Sequence, residues 1–127
     1  MEVNELTGLV LHLCIKIHSS IGPGCFEKVY EEALLYELTK NDLVVARQLL
    51  MPINYEELHV NDAYRIDLLV ENILIIEIKS IERLSPVHFK QVRTYLKLMK
   101  LKNGLLLNFN VEKMKDGYHR VFNNEGK

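Results

Sequence analysis

The sequence predicts a mixed α/β domain, a β-sheet flanked by helices in the order ααβββαβ(β), and three observations lead there. Two apolar stripes at helical spacing occupy residues 4 to 38 and are separated by Gly22-Pro23-Gly24. Three runs rich in β-branched and aliphatic residues then follow, with too little chain between them for a helix. A further helical stripe precedes Leu105-Leu106-Leu107, an apolar run short enough for a buried strand.

From Asn4 to Ser19, Leu6, Leu9, Val10, Leu13 and Ile17 recur at three- and four-residue spacing, the mark of one helical face. The Gly-Pro-Gly break ends that pattern, and Phe26, Val29, Tyr30, Ala33, Leu34 and Leu38 form the stripe of a second helix. Val44 to Tyr55 reads as a strand that lies at a sheet edge or ends at Pro52, which has no ladder donor. After a polar connection at Glu56-Glu57 come Tyr64–Val70 and Ile73–Lys79, joined by a tight hairpin. Ser85-Pro86 supplies a side-chain acceptor and a fixed φ for a helix start. That helix runs to about Met99 with Phe89, Val92, Leu96 and Met99 as its stripe. Gly104 introduces the Leu105–Leu107 strand, and Tyr118–Phe122 supplies the optional last one.

At 127 residues the chain suits one domain spanning 1–127, with no repeat, linker or low-complexity segment. The only loose pieces expected are the first few residues and Asn123–Lys127. Cys14 and Cys25 are too few for a disulfide framework, and no Cys/His array has zinc spacing. With no basic-then-apolar leader and no apolar stretch near ~20 residues, the expected setting is cytoplasmic and away from membranes. A net charge of −1 argues against affinity built mainly on phosphate contacts, although metal-binding carboxylates count as negative without their metal.

Strand side chains alternate, so Glu77 and Lys79 share one face while Ile76 and Ile78 take the other. Charges beside Leu74-Ile75-Ile76 in a central strand are expensive to desolvate unless paired or bound to metal. Asp67 repeats the feature on the preceding strand. A type I turn with left-handed Asn72 would make a three-residue loop from Val70 to Asn72. Asp67 would then stand opposite Ile75, diagonal to Glu77 and on its face; a Glu71-Asn72 loop would put it on the other face. Two converging carboxylates with an ammonium nearby suit Mg²⁺ or Mn²⁺ and phosphoryl chemistry, with Lys79 orienting water or stabilising developing charge. The alternative is an ion-pair network on a solvated sheet face.

This arrangement resembles the PD-(D/E)XK nuclease core, a restriction-endonuclease-like fold, with Asp67 on the second strand and Glu77-Ile78-Lys79 on the third. Gly24-Cys25-Phe26-Glu27-Lys28-Val29-Tyr30 is similar to the signature of the GxxExxY protein family of that superfamily. His18, Gly22-Pro23-Gly24, Arg65 to Val70 and Gly104 to Phe109 extend the likeness over roughly residues 7 to 110. Gln91-Val92-Arg93-Thr94-Tyr95 resembles the QxxxY motif of RecB-type exonucleases.

The resemblance implies a divalent-metal-dependent nuclease acting on DNA, with exonucleolytic action suggested by QxxxY. Asp67 and Glu77 would be ligands, Lys79 catalytic support, and Gln91 and Tyr95 further site residues. A glutamate of the second helix, Glu27 or Glu31, would join the metal. His88, Gln91 and Tyr95 share one helical face, opposite Phe89, Val92, Leu96 and Met99; Tyr30 suits core packing, and His18 suits a phosphate contact or a packed or capping role. Arg47, Arg65 and Lys90 are the basic candidates for phosphate. Ile66 stands where the family name has proline, and two cysteines cannot ligate the iron–sulfur cluster of some relatives. The competing expectation is a non-catalytic nucleic-acid or protein-interaction module on the same fold; a third is assembly into a homodimer or with a larger partner that supplies DNA affinity.

Overall fold

The computed structural model describes residues 1–124. Helix α1 (Val3–Ile21) starts where Glu2 Oε1 accepts the Asn4 N–H at 2.9 Å, and α2 (Glu27–Lys40) follows the Gly22–Gly24 turn. Both turn glycines hold positive φ, 80° and 102°, a conformation that side chains with a Cβ disfavour. The fully buried Tyr30 fastens this turn: its hydroxyl donates to Gly22 O at 2.6 Å and accepts the Cys25 N–H at 3.1 Å, while its ring stacks on Phe109. Core packing, the role expected of Tyr30, is what it does.

Strands β1 (Val45–Tyr55), β2 (Leu58–Val70), β3 (Leu74–Lys79), β4 (Asn103–Asn108) and β5 (Tyr118–Phe122) form one sheet in chain order. Only β3 and β4 run parallel, joined through α3 (Pro86–Met99). The optional last strand is present, and Pro52 does lie in an edge strand, at a register shift between Met51 and Ile53. Ser85 caps α3 as expected, in a capping box closed by His88.

Apolar side chains bury on both sheet faces. Leu68, Val70, Leu74, Ile76, Ile78, Leu105 and Leu107 pack under α1 and α2, while Ile66, Leu69, Ile75 and Leu106 pack under Val92 and Leu96 of α3. A Cβ on Gly104 would come within 2.9 Å of Val92 Cγ1, so glycine lets α3 lie close to β4. Among the described residues, no helix is long and apolar enough to cross a membrane. Asn123 is tied down rather than loose, its N–H donating to Lys102 O; residues 125–127 of the tail expected to fray lie outside the described residues.

Two expectations need correction. β2 begins at Leu58, not Tyr64, because Glu56-Glu57 makes a two-residue hairpin whose arms extend into solvent. Residues 58–62 are all exposed, so this ribbon has no buried face to impose alternation on its sequence. The β2–β3 loop comprises residues 71–73 rather than 70–72: Glu71 and Asn72 both take positive φ, 54° and 57°, and Ile73 N–H donates to Val70 O. Fully buried Val70 stays in the ladder opposite Leu74, which sets Leu69 against Ile75 and Leu68 against Ile76. Continued one step, this register sets Asp67 against Glu77 itself instead of Ile75. The shift is two residues, an even number.

Alternation breaks at one place in β1 and β2. Ile66 joins the core under α3, yet Leu68, two residues on, joins the core under α1 and α2. Ala46 and Leu49, three residues apart, both pack on the α3 side. The pairs Arg47↔Leu68 and Leu49↔Ile66 keep one register across the break, so Gln48 stands across from Asp67. Gln48 has φ 49°, a left-handed residue inside a strand.

Candidate functional site

The β2–β3 ladder stops at Leu68↔Ile76, and the strands part. Side chains take over the hydrogen bonds there: Asp67 Oδ2 accepts the Ile78 N–H at 2.9 Å, and Glu77 Oε1 accepts the Asp67 N–H at 3.2 Å. Charged side chains thereby satisfy main-chain donors that a ladder would otherwise pair. The fork places both carboxylates at one point between two strands.

Glu77 is only 4% exposed, which rules out a solvated ion-pair face for it. Burial, then the adjacent Asp67 charge, pushes its carboxyl up to about 8 from 4.5, opposed by the Asp67 N–H and the Lys79 ammonium. Lys79 therefore acts on Glu77 through space; no ion pair within 4.0 Å holds it among the described residues. Lys79 is itself fixed at the end of β3, where its carbonyl accepts the Phe109 N–H at 3.0 Å.

The second-helix glutamates have different company. Glu31, buried, pairs with Arg47 at 3.1 Å and accepts from Gln48 Nε2 at 2.6 Å. The same nitrogen reaches Asp67 Oδ1 at 3.4 Å, so Glu31 is linked to Asp67 through one amide. Exposed Glu27 instead lies 3.4 Å from Ser80 N, just past Lys79. A cavity of about 310 Å³ is lined by Glu27, Lys28, Glu31, Arg47, Gln48, Arg65 and Asp67. Among the described residues, no three acidic, His or Cys side chains converge on one ion-sized point. The donor set that suits a hard divalent ion is thus the Asp67–Glu77 pair, with Glu31 one hydrogen-bonded step away.

On α3 the three polar positions diverge. His88 turns back to accept the Ser85 N–H at 3.0 Å, its capping geometry removing it from the face it was expected to share with Gln91 and Tyr95. Tyr95 is half-buried, stacks on Tyr64 with centroids 4.9 Å apart, and packs with the residues it was expected to oppose. Its phenol is raised above the usual value by burial and then by the Glu77 and Asp67 charges, so it lies within their field. Gln91 is exposed, and its side chain makes no hydrogen bond among the described residues. Of the basic candidates, Arg47 is taken by Glu31 and Glu32, Arg65 stands at the cavity, and Lys90 lines a separate hollow with Arg93. His18, buried, bonds to Val111 O at 2.7 Å, as a packed residue does.

Sequence reasoning missed Gln48, whose residue type and place in Arg47-Gln48-Leu49-Leu50 gave no sign of a left-handed turn of the chain. It also missed Asn108, buried at the end of β4, whose amide accepts from Ile81 N and donates to Ile81 O, holding the loop that leaves β3. The asparagine following an apolar strand was the available signal.

The family model of the PD-(D/E)XK nuclease superfamily matches residues 4–121. No match was found among curated proteins or solved structures.

Proposed function

From the premise that this chain belongs to the PD-(D/E)XK nuclease superfamily, we propose that it hydrolyses DNA phosphodiester bonds with Mg²⁺ or Mn²⁺ at the β2–β3 fork. The observation that carries this reading is the Asp67–Glu77 pair: two carboxylates meeting at the fork, the buried Glu77 carboxyl pushed up to about 8 by burial and then by the Asp67 charge. Such a pair lowers its own repulsion by binding a cation. A divalent ion bound there would polarise the scissile phosphate and make a bound water more acidic.

The chain's own residues have these roles. Asp67 and Glu77 would hold the ion through their oxygen atoms, oriented by the N–H groups of Ile78 and Asp67 that they accept from. Lys79, free of any ion pair among the described residues, offers its ammonium to the attacking water or to charge developing on the phosphate. Glu31 supports Asp67 from α2, and Glu27 lies further along the same cavity. Arg65 and Lys28, at that cavity, are the cations placed to meet a phosphate.

Membership in the GxxExxY branch is part of the proposal, with Tyr30 and the Gly22–Gly24 turn serving structure and the glutamates serving the site. The QxxxY reading assigns Tyr95 to the site's electrostatic surroundings and Gln91 to the substrate side of α3, with exonucleolytic action as the corresponding mode. The competing reading, a non-catalytic module, draws support from the lack of a third convergent carboxylate among the described residues.

Labelled single- and double-stranded DNA incubated with Mn²⁺ separates the two. The wild type should cleave, and Lys79→Ala should fall by about 10²–10³-fold, as loss of one preorganised electrostatic group does. Equal, absent cleavage by both proteins would favour the module.

A further inference from the structure

We propose that Gln48 is a positioning residue of this site, its amide tying the Asp67 carboxylate to Glu31 across the sheet. The inference rests on the nuclease reading for its consequence, but on the geometry alone for its content.

Glu77, Lys79 and Ile75 follow one alternation, and Ile75 faces α3. Glu31 belongs to α2, on the opposite face of the sheet. An unbroken sheet would keep a helix glutamate on that side away from the fork. What connects them is the break in β1 and β2, where side-chain alternation slips at Gln48 and Asp67 while the register holds.

At that break Gln48 takes φ 49° in the middle of an otherwise extended strand. A non-glycine residue there carries backbone strain, and such strain concentrates at functional positions. The conformation delivers one nitrogen, Nε2, to two acceptors: Glu31 Oε1 at 2.6 Å and Asp67 Oδ1 at 3.4 Å. The amide has two hydrogens, one for each carboxylate.

Glu31 is in turn anchored by Arg47, so the chain Arg47–Glu31–Gln48–Asp67 ends at Ile78 N–H, which donates to Asp67 Oδ2 at 2.9 Å. Asp67 is thereby held from both oxygens: Oδ1 by Gln48 and Oδ2 by the β3 main chain. A neutral amide suits this place. A third carboxylate would repel its neighbours, and a lysine would compete with the metal for them.

The test uses Gln48→Gly and Gln48→Ala in the full chain. Both remove the amide, but glycine accepts φ 49° without strain and alanine does not. Gln48→Gly should therefore melt at or above the wild-type temperature and Gln48→Ala below it. In metal-free protein both should speed hydrogen exchange at the Ile78 amide by at least about tenfold, because Asp67 is no longer held beneath it. Exchange at Ile75 and Ile76, inside the ladder, should be unchanged in Gln48→Gly. By calorimetric titration both variants should bind Mn²⁺ about 10–100-fold more weakly, as loss of an outer-shell partner does.

Wild-type protection of Ile78 retained in Gln48→Gly overturns the inference whatever the metal does. Losses that track melting temperature, large in the alanine variant and absent in the glycine one, overturn it as well. If the wild type binds no Mn²⁺ while Ile78 protection still depends on Gln48, positioning stands and the nuclease reading fails.

Discussion

The two ends of the β2–β3 pair contain the same two strands and opposite chemistry. At the closed end Val70↔Leu74 and Leu68↔Ile76 are apolar and fully buried, and main-chain partners satisfy the ladder. One step past Leu68, the strands part and Asp67 and Glu77 replace the ladder with side-chain acceptors. The closed end is built for stability. The fork keeps a carboxylate buried where its charge is unfavourable, an arrangement with a use once a cation arrives. Charge in a central strand is tolerated where the backbone has donors left to give.

The comparison breaks most visibly at the closed end. Ile76→Ala, at a fully buried position, should lower stability by about 2–5 kcal/mol in urea titration, from lost apolar burial and the cavity left behind. A shift in the midpoint with no change in the Mn²⁺-induced gain would show that the two ends are energetically separable. Loss of that gain would join them.

The next effect belongs to the fork, in metal-free protein. A carboxyl raised from 4.5 to about 8 on folding contributes stability that is fully present below pH 4.5 and lost as pH rises through about 8. The wild type in EDTA should therefore lose on the order of 3 kcal/mol between pH 4.5 and 7 from this group, and Glu77→Gln should flatten that slope. Parallel slopes for the two proteins, measured by denaturant melts across this range, would contradict the assignment.

Much of this was legible in the sequence, for reasons that differ by residue. The alternation that puts Glu77 and Lys79 on one face was readable from residue spacing, and Asp67 still meets Glu77 at the fork despite the wrong loop, because the actual register differs by two residues, an even number. The loop was misjudged because Glu71, a residue with no bias toward positive φ, takes φ 54° beside Asn72. Leu58 to Ala63 were unreadable as strand because a two-stranded ribbon in solvent imposes no pattern. His88 carried two compatible signals, a cleft face and a cap three residues after Ser85, and the nearer partner won. Gln48 was invisible, since what it does depends on a backbone conformation that its residue type does not announce.

A smaller effect tests the turn that leads into α2. Tyr30→Phe keeps the stacked ring on Phe109 but removes the hydroxyl that bonds Gly22 O and Cys25 N–H. The variant should lose about 1–3 kcal/mol while its Mn²⁺ response persists. A Mn²⁺ response lost together with that hydroxyl would extend the site to this turn.

Thermal melts of wild type and Glu77→Gln, each with EDTA and with millimolar Mn²⁺ or Mg²⁺ at neutral pH, bear most directly on the fork as a metal site. Mass action should raise the wild-type melting temperature with the ion, by about 2.7 kcal/mol of stability at a hundredfold excess over Kd. Glu77→Gln should melt at or above the wild type in EDTA, relieved of the cost of burying an ionisable carboxyl beside Asp67, and gain nothing from the ion. A wild type indifferent to both ions, beside a Glu77→Gln protein strongly destabilised in EDTA, would contradict the account and leave Glu77 as a structural partner of Lys79.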